Sequence, residues 1–559
     1  MDSNGIVFRE YFCWGMMFHL FDGCVAGCFF LYIGVGGLYM KIKQLMVCCC
    51  LAVLAVLAVE AGRRPNILFI YGDDIGYGDF SCYGGEVHTY NIDRLAEEGV
   101  RFTGGYCSSA TCTPSRYTLL TGEYAFRNQS AQILPGNAPL IIDPARPTLA
   151  AFLKHQGYAT MLSGKWHLGL GLASENLDWN GLIKPGPKEV GFERSFHMAA
   201  TADRVPSVYI RDGRVVDLDP ADPIFVNYKK KIGDEPTGLS HPHLLRSQAD
   251  EQHAKTIING ISRIGYMMGG QAARFKDEDM ADTYLVEAQK FMREKREEPF
   301  FLFFAPNENH VPRVVHPRFQ GATSLGPRGD AIAVFDWCVG ELVETLRETG
   351  QLKNTLIVIS SDNGPVLYDG YWDGAIERQG THDASGPWRG GKYSRWEGGT
   401  RVPFIVSWPG QVEPGISDAL VSQVDLYASI AALIGQPLPD QAGQDGENVL
   451  PALLGKSAVG REYVIQEALK QIAVRKGNWK YIPPGNVRER LGHKRWNNTT
   501  VSEPGLLFHL SEDPEELNDL AALYPNRVEE MRRIIKKIAP DKLTGPVVVE
   551  KELLGFEKK

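Results

Sequence analysis

Two short strings place oxygen donors directly after apolar runs. Asp73-Asp74 follow the run Asn66-Ile-Leu-Phe-Ile-Tyr71, and Asp362-Asn363 follow Thr355-Leu-Ile-Val-Ile-Ser360-Ser361. If both runs are buried strands of one sheet, both pairs stand at carboxyl ends, where open α/β sheets bind ligands. Carboxylate and amide oxygens suit a hard divalent cation. Asp-Asp and Asp-Asn-Gly are also ordinary turn sequences, so the pairs alone admit both readings. A third string, Cys112-Thr113-Pro114-Ser115-Arg116, sets a cysteine just ahead of a proline suited to a first helical turn. A helix start presents free N–H groups and partial positive charge, which suit an anionic group. Taken singly, Cys112 reads as a small buried hydrophobe or as a thiol of lowered pKa. Lone loop histidines and lysines such as His167, His310, Lys165 and Lys392 are ordinarily structural or solvated, and gain meaning only as an ordered set.

The elements that must position these residues follow from periodicity. Residues 66–71, 299–304, 355–360 and 403–407 are short continuous apolar runs and read as buried strands. Helical spacing marks 91–98, 148–156 (with Thr148 as N-cap) and the long stretch 328–349. Strands alternating with helices predict an α/β fold, a mostly parallel sheet with helices on both faces. After about residue 455 short alternating runs at 462–467, 471–482 and 505–510 and a helix near 525–538 predict a smaller antiparallel subdomain. The segment 170–290 is loop-rich and its order is not legible; loops of that length on large α/β enzymes commonly shape the substrate pocket.

The chain has 559 residues, 44% apolar and 23% charged, with a formal net charge of −8. Those proportions exclude coiled-coil, collagen-like and disordered chains. No basic block stands out, which argues against a nucleic-acid binder; an anionic ligand would need a local cationic pocket. Residues 1–61 hold six of the ten cysteines. Lys41 and Lys43, the 15-residue apolar run Leu45–Val59 and Val59-Glu60-Ala61 predict a secretory signal at 40–61. Residues 1–39 then read as a gene-model extension, with a membrane segment at 23–39 as the rival. The run is short for a membrane span, so a secreted or periplasmic chain without a stable membrane anchor is expected. The expected organisation is 1–61 as leader, 62–455 as catalytic domain and 456–559 as C-terminal subdomain. Four cysteines remain after residue 61, too few for a disulfide scaffold.

Cys112-Thr-Pro-Ser-Arg116 followed by Leu120-Thr-Gly122 resembles the signature of the formylglycine-dependent sulfatases of the alkaline phosphatase superfamily. Four further segments resemble that family in order: Pro65–Asp79, Gly164-Lys-Trp-His-Leu-Gly169, Ser361-Asp-Asn-Gly364, and Gly390-Gly-Lys392 with Glu397–Pro403. Phe508–Asn518 resembles its C-terminal end. The resemblance covers about 65–525 and implies an alkaline-phosphatase-like mixed sheet flanked by helices, plus a small C-terminal antiparallel sheet with one helix. It implies one Ca²⁺ held by Asp73, Asp74, Asp362 and Asn363 together with residue 112. It implies that a formylglycine-generating enzyme converts Cys112 to formylglycine, whose hydrate supplies the nucleophilic hydroxyl. Arg116 and Lys165 would hold that group, His167 would act as base, His310 would protonate the leaving alcohol, and Lys392 would bridge sulfate and leaving oxygen.

Within the family the chain most resembles the arylsulfatase A and N-acetylgalactosamine-6-sulfatase group, through Ala202–Pro206, Ile261–Met267 and the run after Asn363. That implies exo-desulfation of a galactose or N-acetylgalactosamine 6-sulfate in a sulfated glycan. Asp203, Arg204, Arg313, His382 and Arg389 are candidate sugar contacts, with loop salt bridging as the alternative for each. A phosphonate or phosphodiester hydrolase with the same pocket, and a silent glycan-binding homologue with an unconverted Cys112, are the rival functions. One departure stands out: Glu123 occupies a position where the family often has Arg, which is expected to change a nearby ion pair.

Overall fold

The computed structural model describes residues 64–490 and 496–543. The expected leader and its rival membrane segment lie outside the described residues. Labels run in chain order. The main sheet is built from β1 (Asn66–Gly72), β2 (Val100–Phe102), β3 (Ala159–Lys165), β4 (Arg194–Met198), β5 (Ile210–Arg211), β6 (Arg214–Val215), β7 (Phe300–Ala305), β8 (Thr355–Ser361), β9 (Phe404–Ser407) and β10 (Gly415–Ser417). Their order is β10-β2-β9-β8-β1-β7-β3-β4-β5-β6. The inner strands β8, β1, β7, β3 and β4 run parallel, whereas β9, β5 and β6 pair antiparallel with their neighbours. The sheet is therefore mixed, with the expected parallel character confined to its centre and β10–β2.

The apolar runs are continuous because both faces of the sheet are buried. Ile67, Phe69 and Tyr71 of β1 enter one core, with Phe301 and Phe303 of β7. Leu68 and Ile70 enter the other, with Phe300, Leu302 and Phe304. The first core is covered by helices α2 (Cys112–Thr121), α3 (Leu149–His155) and α7 (Leu426–Leu433), the second by α1 (Tyr90–Glu97), α4 (Met280–Glu294) and α5 (Pro327–Glu348). Thr148 caps α3, its hydroxyl accepting from Ala151 N at 3.1 Å. Each such buried Phe or Ile contributes about 1.5–3 kcal/mol, so a charge at any of these positions would unmake the layer that carries the site.

Register sets the site. Gly72 pairs with Ser361, so Asp73 and Asp362 leave the sheet side by side. Gly164 pairs with Ala305, so Lys165 and the loop carrying His310 leave from the adjacent strands at the same edge.

The C-terminal sheet joins β11 (Tyr463–Ala468), β12 (Gln471–Lys476), β13 (Trp479–Ile482) and β16 (Leu506–His509), all antiparallel. Helix α8 (Pro525–Ile538) packs Val528, Met531 and Ile535 against Ile465, Ile472, Val474 and Leu507. Between β13 and β16 a separate two-stranded hairpin, β14 (Gly485–Arg490) with β15 (Trp496–Val501), was not foreseen. Buried charges lock this sheet to the short helix α6 (Glu397–Thr400): Lys480 Nζ lies 3.1 Å from both Glu397 and Glu516. That lock fixes the C-terminal end of the loop carrying Lys392.

Candidate active site

Asp73, Asp74 and Asp362 bring carboxylate oxygens within 4.8 Å of one another, all fully buried. Asp73 and Asp74 are held by their loop: Asp73 N donates to Glu308 O at 3.0 Å, and Asp74 takes a left-handed φ of 61°. Asp79 closes the loop from below. Its Oδ2 accepts from Gly76 N at 2.7 Å, and Arg328 grips both its oxygens at 2.7 Å. Asn363 Nδ2 donates to Asp74 Oδ1 at 2.7 Å. Asp73 Oδ1 and Asn363 Oδ1 are buried without a partner among the described residues. Buried acceptors are rarely left so, and an all-oxygen donor set with unused lone pairs fits a hard cation such as Ca²⁺. Burial, then the neighbouring Asp362, raises the Asp73 carboxyl far above its usual range, the expected strain of a carboxylate cluster whose charge is incompletely balanced.

Three cations surround the cluster. Arg116 grips Asp362 Oδ2 through Nε at 2.9 Å and Nη2 at 2.8 Å. Lys165 Nζ lies 2.6 Å from Asp73 Oδ2 and 3.7 Å from Asp362. Lys392 Nζ bridges Asp74 Oδ2 at 2.9 Å and Asp369 Oδ2 at 3.0 Å. Burial pushes the Asp74 carboxyl up, but Lys392 and His310 outweigh it and hold it below the normal value.

Cys112 is the first residue of α2, 2% exposed, with Pro114 in the first turn. Burial raises its thiol despite Lys165 and Lys392. That direction runs against the reading of a thiol with lowered pKa. Its sulfur shares a cluster with Asp73 and His310 donors.

His167 has a left-handed φ of 55°, and its carbonyl accepts from Thr113 of α2 at 3.0 Å. Its Nε2 meets Leu134 O at 3.0 Å, which makes Nε2 the donor and leaves Nδ1 as an acceptor without a partner. Burial, then Lys165, keeps this ring neutral. His310 contacts Val311 O through Nδ1 at 2.6 Å, and its Nε2 stands 3.9 Å from Asp74 Oδ2. Burial and Lys392 push it down to about 4.

The sequence-derived sugar contacts divide. Asp203 is buried beside the site, with Arg204 Nη1 at 2.7 Å and His253 Nε2 at 3.5 Å. Arg204 is partly exposed. Arg389 is a quarter exposed, lies 3.9 Å over the Trp396 ring and donates to Glu516 O at 3.0 Å. Arg313 instead donates to Asn309 O, Leu367 O and Val366 O and pairs with Asp373, so its guanidinium braces the His310 loop. His382 is 4% exposed; Nε2 reaches Asp79 at 2.9 Å and Nδ1 accepts from Glu86 N at 3.4 Å. Both side chains are engaged by loop atoms in this structure. Glu123 pairs with Arg146 and accepts from Tyr117 OH. Sequence reasoning missed Asp369 and Tyr393, which donates to Asp369 at 2.9 Å. Their only signal was proximity to Lys392.

A cation-ready carboxylate cluster, ringed by Arg116, Lys165 and Lys392 at the start of a helix, suits cleavage of an ester that carries negative charge. Comparison with known proteins makes the class specific. The Sulfatase family model matches residues 65–436, and the chain belongs to that family of sulfuric ester hydrolases. It is 48% identical over 488 residues to an N-acetylgalactosamine-6-O-sulfatase of Bacteroides thetaiotaomicron, covering 86% of this chain and 94% of that protein. Human arylsulfatase A is 31% identical, over 87% of this chain and 89% of its own. A solved sulfatase from the glycosaminoglycan metabolism of B. thetaiotaomicron superposes with a TM-score of 0.82 at 48% identity, covering 85% of this chain and 99% of that one. Among the described residues no helix is long and apolar enough to cross a membrane.

Proposed function

We propose that the protein removes the 6-sulfate from galactose or N-acetylgalactosamine at the end of a sulfated glycan. The observation that carries the reaction class is the pair of unpartnered oxygens, Asp73 Oδ1 and Asn363 Oδ1, beside Cys112 and its three cations. The sugar is supported by the bacterial relative, whose name specifies N-acetylgalactosamine 6-sulfate.

In this reading Asp73, Asp74, Asp362 and Asn363 hold one Ca²⁺, which would supply positive charge for a sulfate oxygen. Residue 112, converted from cysteine to formylglycine, would supply two hydroxyls on one carbon: one for attack on sulfur, one to expel sulfate. The side chains do the rest. Arg116 is fixed on Asp362 and orients that carboxylate. Lys165 and Lys392 stand where sulfate charge must be offset. His167 Nδ1, an acceptor with no competing partner, takes the proton from residue 112. His310, held by its Nδ1–H on Val311 O, would hand the departing alcohol oxygen a proton from Nε2, which it can do only as the imidazolium. Asp203 and Arg204 bind sugar hydroxyls. The chain is secreted or periplasmic, and a maturation enzyme acts on Cys112. The catalytic unit ends near residue 455, with 456–559 forming the C-terminal subdomain.

The test is free sulfate released, with Ca²⁺, from sulfated galactose, N-acetylgalactosamine, glucosamine and aryl substrates after Cys112 conversion has been verified by mass. Release confined to galactose-type 6-sulfates supports the reading. Phosphonate hydrolysis without sulfate release would replace it.

A further inference from the structure

Arg395 lies on the loop between Lys392 and α6, and it is 3% exposed. Nη1 donates to Ile472 O at 3.3 Å and to Pro483 O at 3.1 Å. Nε and Nη2 have no partner among the described residues. Those two atoms form one edge of the guanidinium, whose parallel N–H bonds are the fork that grips carboxylates and other anions.

Four other buried arginines each hold a carboxylate: Arg116 holds Asp362, Arg263 Asp277, Arg328 Asp79 and Arg461 Asp425. Arg395 has no ion pair among the described residues. Among the described residues Tyr481 is the one titratable group that acts on it, and that phenol is itself donating to Pro504 O at 2.7 Å. Burial without a counter-charge pushes the Arg395 pKa down to about 9. Leaving a cation desolvated and unpaired is unfavourable, and a counter-ion relieves that cost. Gly485 runs beside the fork with φ 136°; a Cβ there would touch Nη2 at 3.5 Å and crowd Gln471 Oε1 at 2.7 Å.

We propose that the Nε/Nη2 edge of Arg395, beneath the start of β14, is a binding site for a small monovalent anion of chloride size. At 3% exposure the fork is too deeply buried to meet a sulfated sugar, and its two bare N–H groups match one compact anion. The ion completes the charge of a residue three positions beyond Lys392 and joins the catalytic loop to the C-terminal sheet. This inference does not depend on the substrate reading.

The test uses the full chain crystallised with bromide in place of chloride, with data collected at the bromine edge. An anomalous peak within hydrogen-bonding distance of Arg395 Nε and Nη2 is expected. Bromide elsewhere with none at the fork, or a water in its place, overturns the proposal. In solution the melting temperature should rise saturably by a few degrees when chloride replaces gluconate at constant ionic strength. Arg395→Met should abolish that response. An equal response in R395M also overturns the proposal, and if R395M does not fold, the anomalous map of the parent decides.

Discussion

Asp79→Asn should destabilise the protein by about 3–5 kcal/mol, the usual cost of removing one partner from a buried ion pair. Asp79 is fully buried and takes four donors: Arg328 Nη1 and His382 Nε2 on Oδ1, Arg328 Nη2 and Gly76 N on Oδ2. An asparagine keeps one acceptor oxygen and turns an N–H₂ toward the remaining donors, so Arg328, 2% exposed, is left without its carboxylate. At about 2.1 cal/mol/K per residue, a chain near 500 residues unfolds with an entropy of about 1 kcal/mol/K. The melting temperature should therefore fall about 3–5 °C. The same carboxyl gives a pH signature. Burial opposes its ionisation, but Arg328 and then His382 bring it down to about 2. A depressed carboxyl contributes stability that is present above its unfolded pKa near 4 and lost as pH falls through 2. The parent should thus lose about 2 kcal/mol over that interval that D79N does not. Melts followed by circular dichroism from pH 7 to 2 measure both. Equal melting temperatures within 1 °C at pH 7 would refute the claim that Asp79 anchors the Asp73-Asp74 loop through Arg328.

His253 is raised to about 9: burial lowers it, but Asp203 and Asp250 outweigh burial. Its stabilisation is full below pH 6.5 and lost through pH 9, about 3 kcal/mol in all; urea melts should show that limb in the parent and not in His253→Gln. His382→Asn should leave KM for the glycan within twofold and lower the melting temperature, because its ring binds Asp79; a tenfold rise in KM would restore it as a sugar contact. Lys392→Met should lower kcat at least 100-fold with little change in fold by circular dichroism, since it removes a buried cation aimed at the reacting group; a loss confined to KM would contradict that role. Cys112→Ser should release about one equivalent of alcohol in a burst and then stop, because a serine ester lacks the second hydroxyl; steady turnover would contradict the role of residue 112.

The central strands and helices were legible because burial on both faces writes itself as apolar runs, as in 66–71 and 355–360, and because long helices such as Pro327–Glu348 keep their period. The edge strands β5 and β6 were not legible, since two residues carry no periodicity. The run 471–482 proved to be two strands turning at Gly477-Asn478. Asp73, Asp74, Asp362, Asn363 and Cys112 were legible because each sits at the end of a readable element, and the register then brings them together. Arg313 and His382 were suggestive by type alone. Their partners, the carbonyls of Val366 and Leu367 and the carboxylate of Asp79, are brought near only by tertiary folding. Asp369 and Tyr393 had no motif of their own.

The most direct test of the central claim is sulfate release from N-acetylgalactosamine 6-sulfate by protein with residue 112 verified as the aldehyde, run beside Cys112→Ala and beside protein stripped of Ca²⁺. Sulfate release that vanishes in C112A and returns when Ca²⁺ is restored is the predicted result. Undiminished release by C112A, or by the stripped protein, would contradict the assignment of Cys112 and the Asp73–Asp74–Asp362–Asn363 cluster to the chemistry.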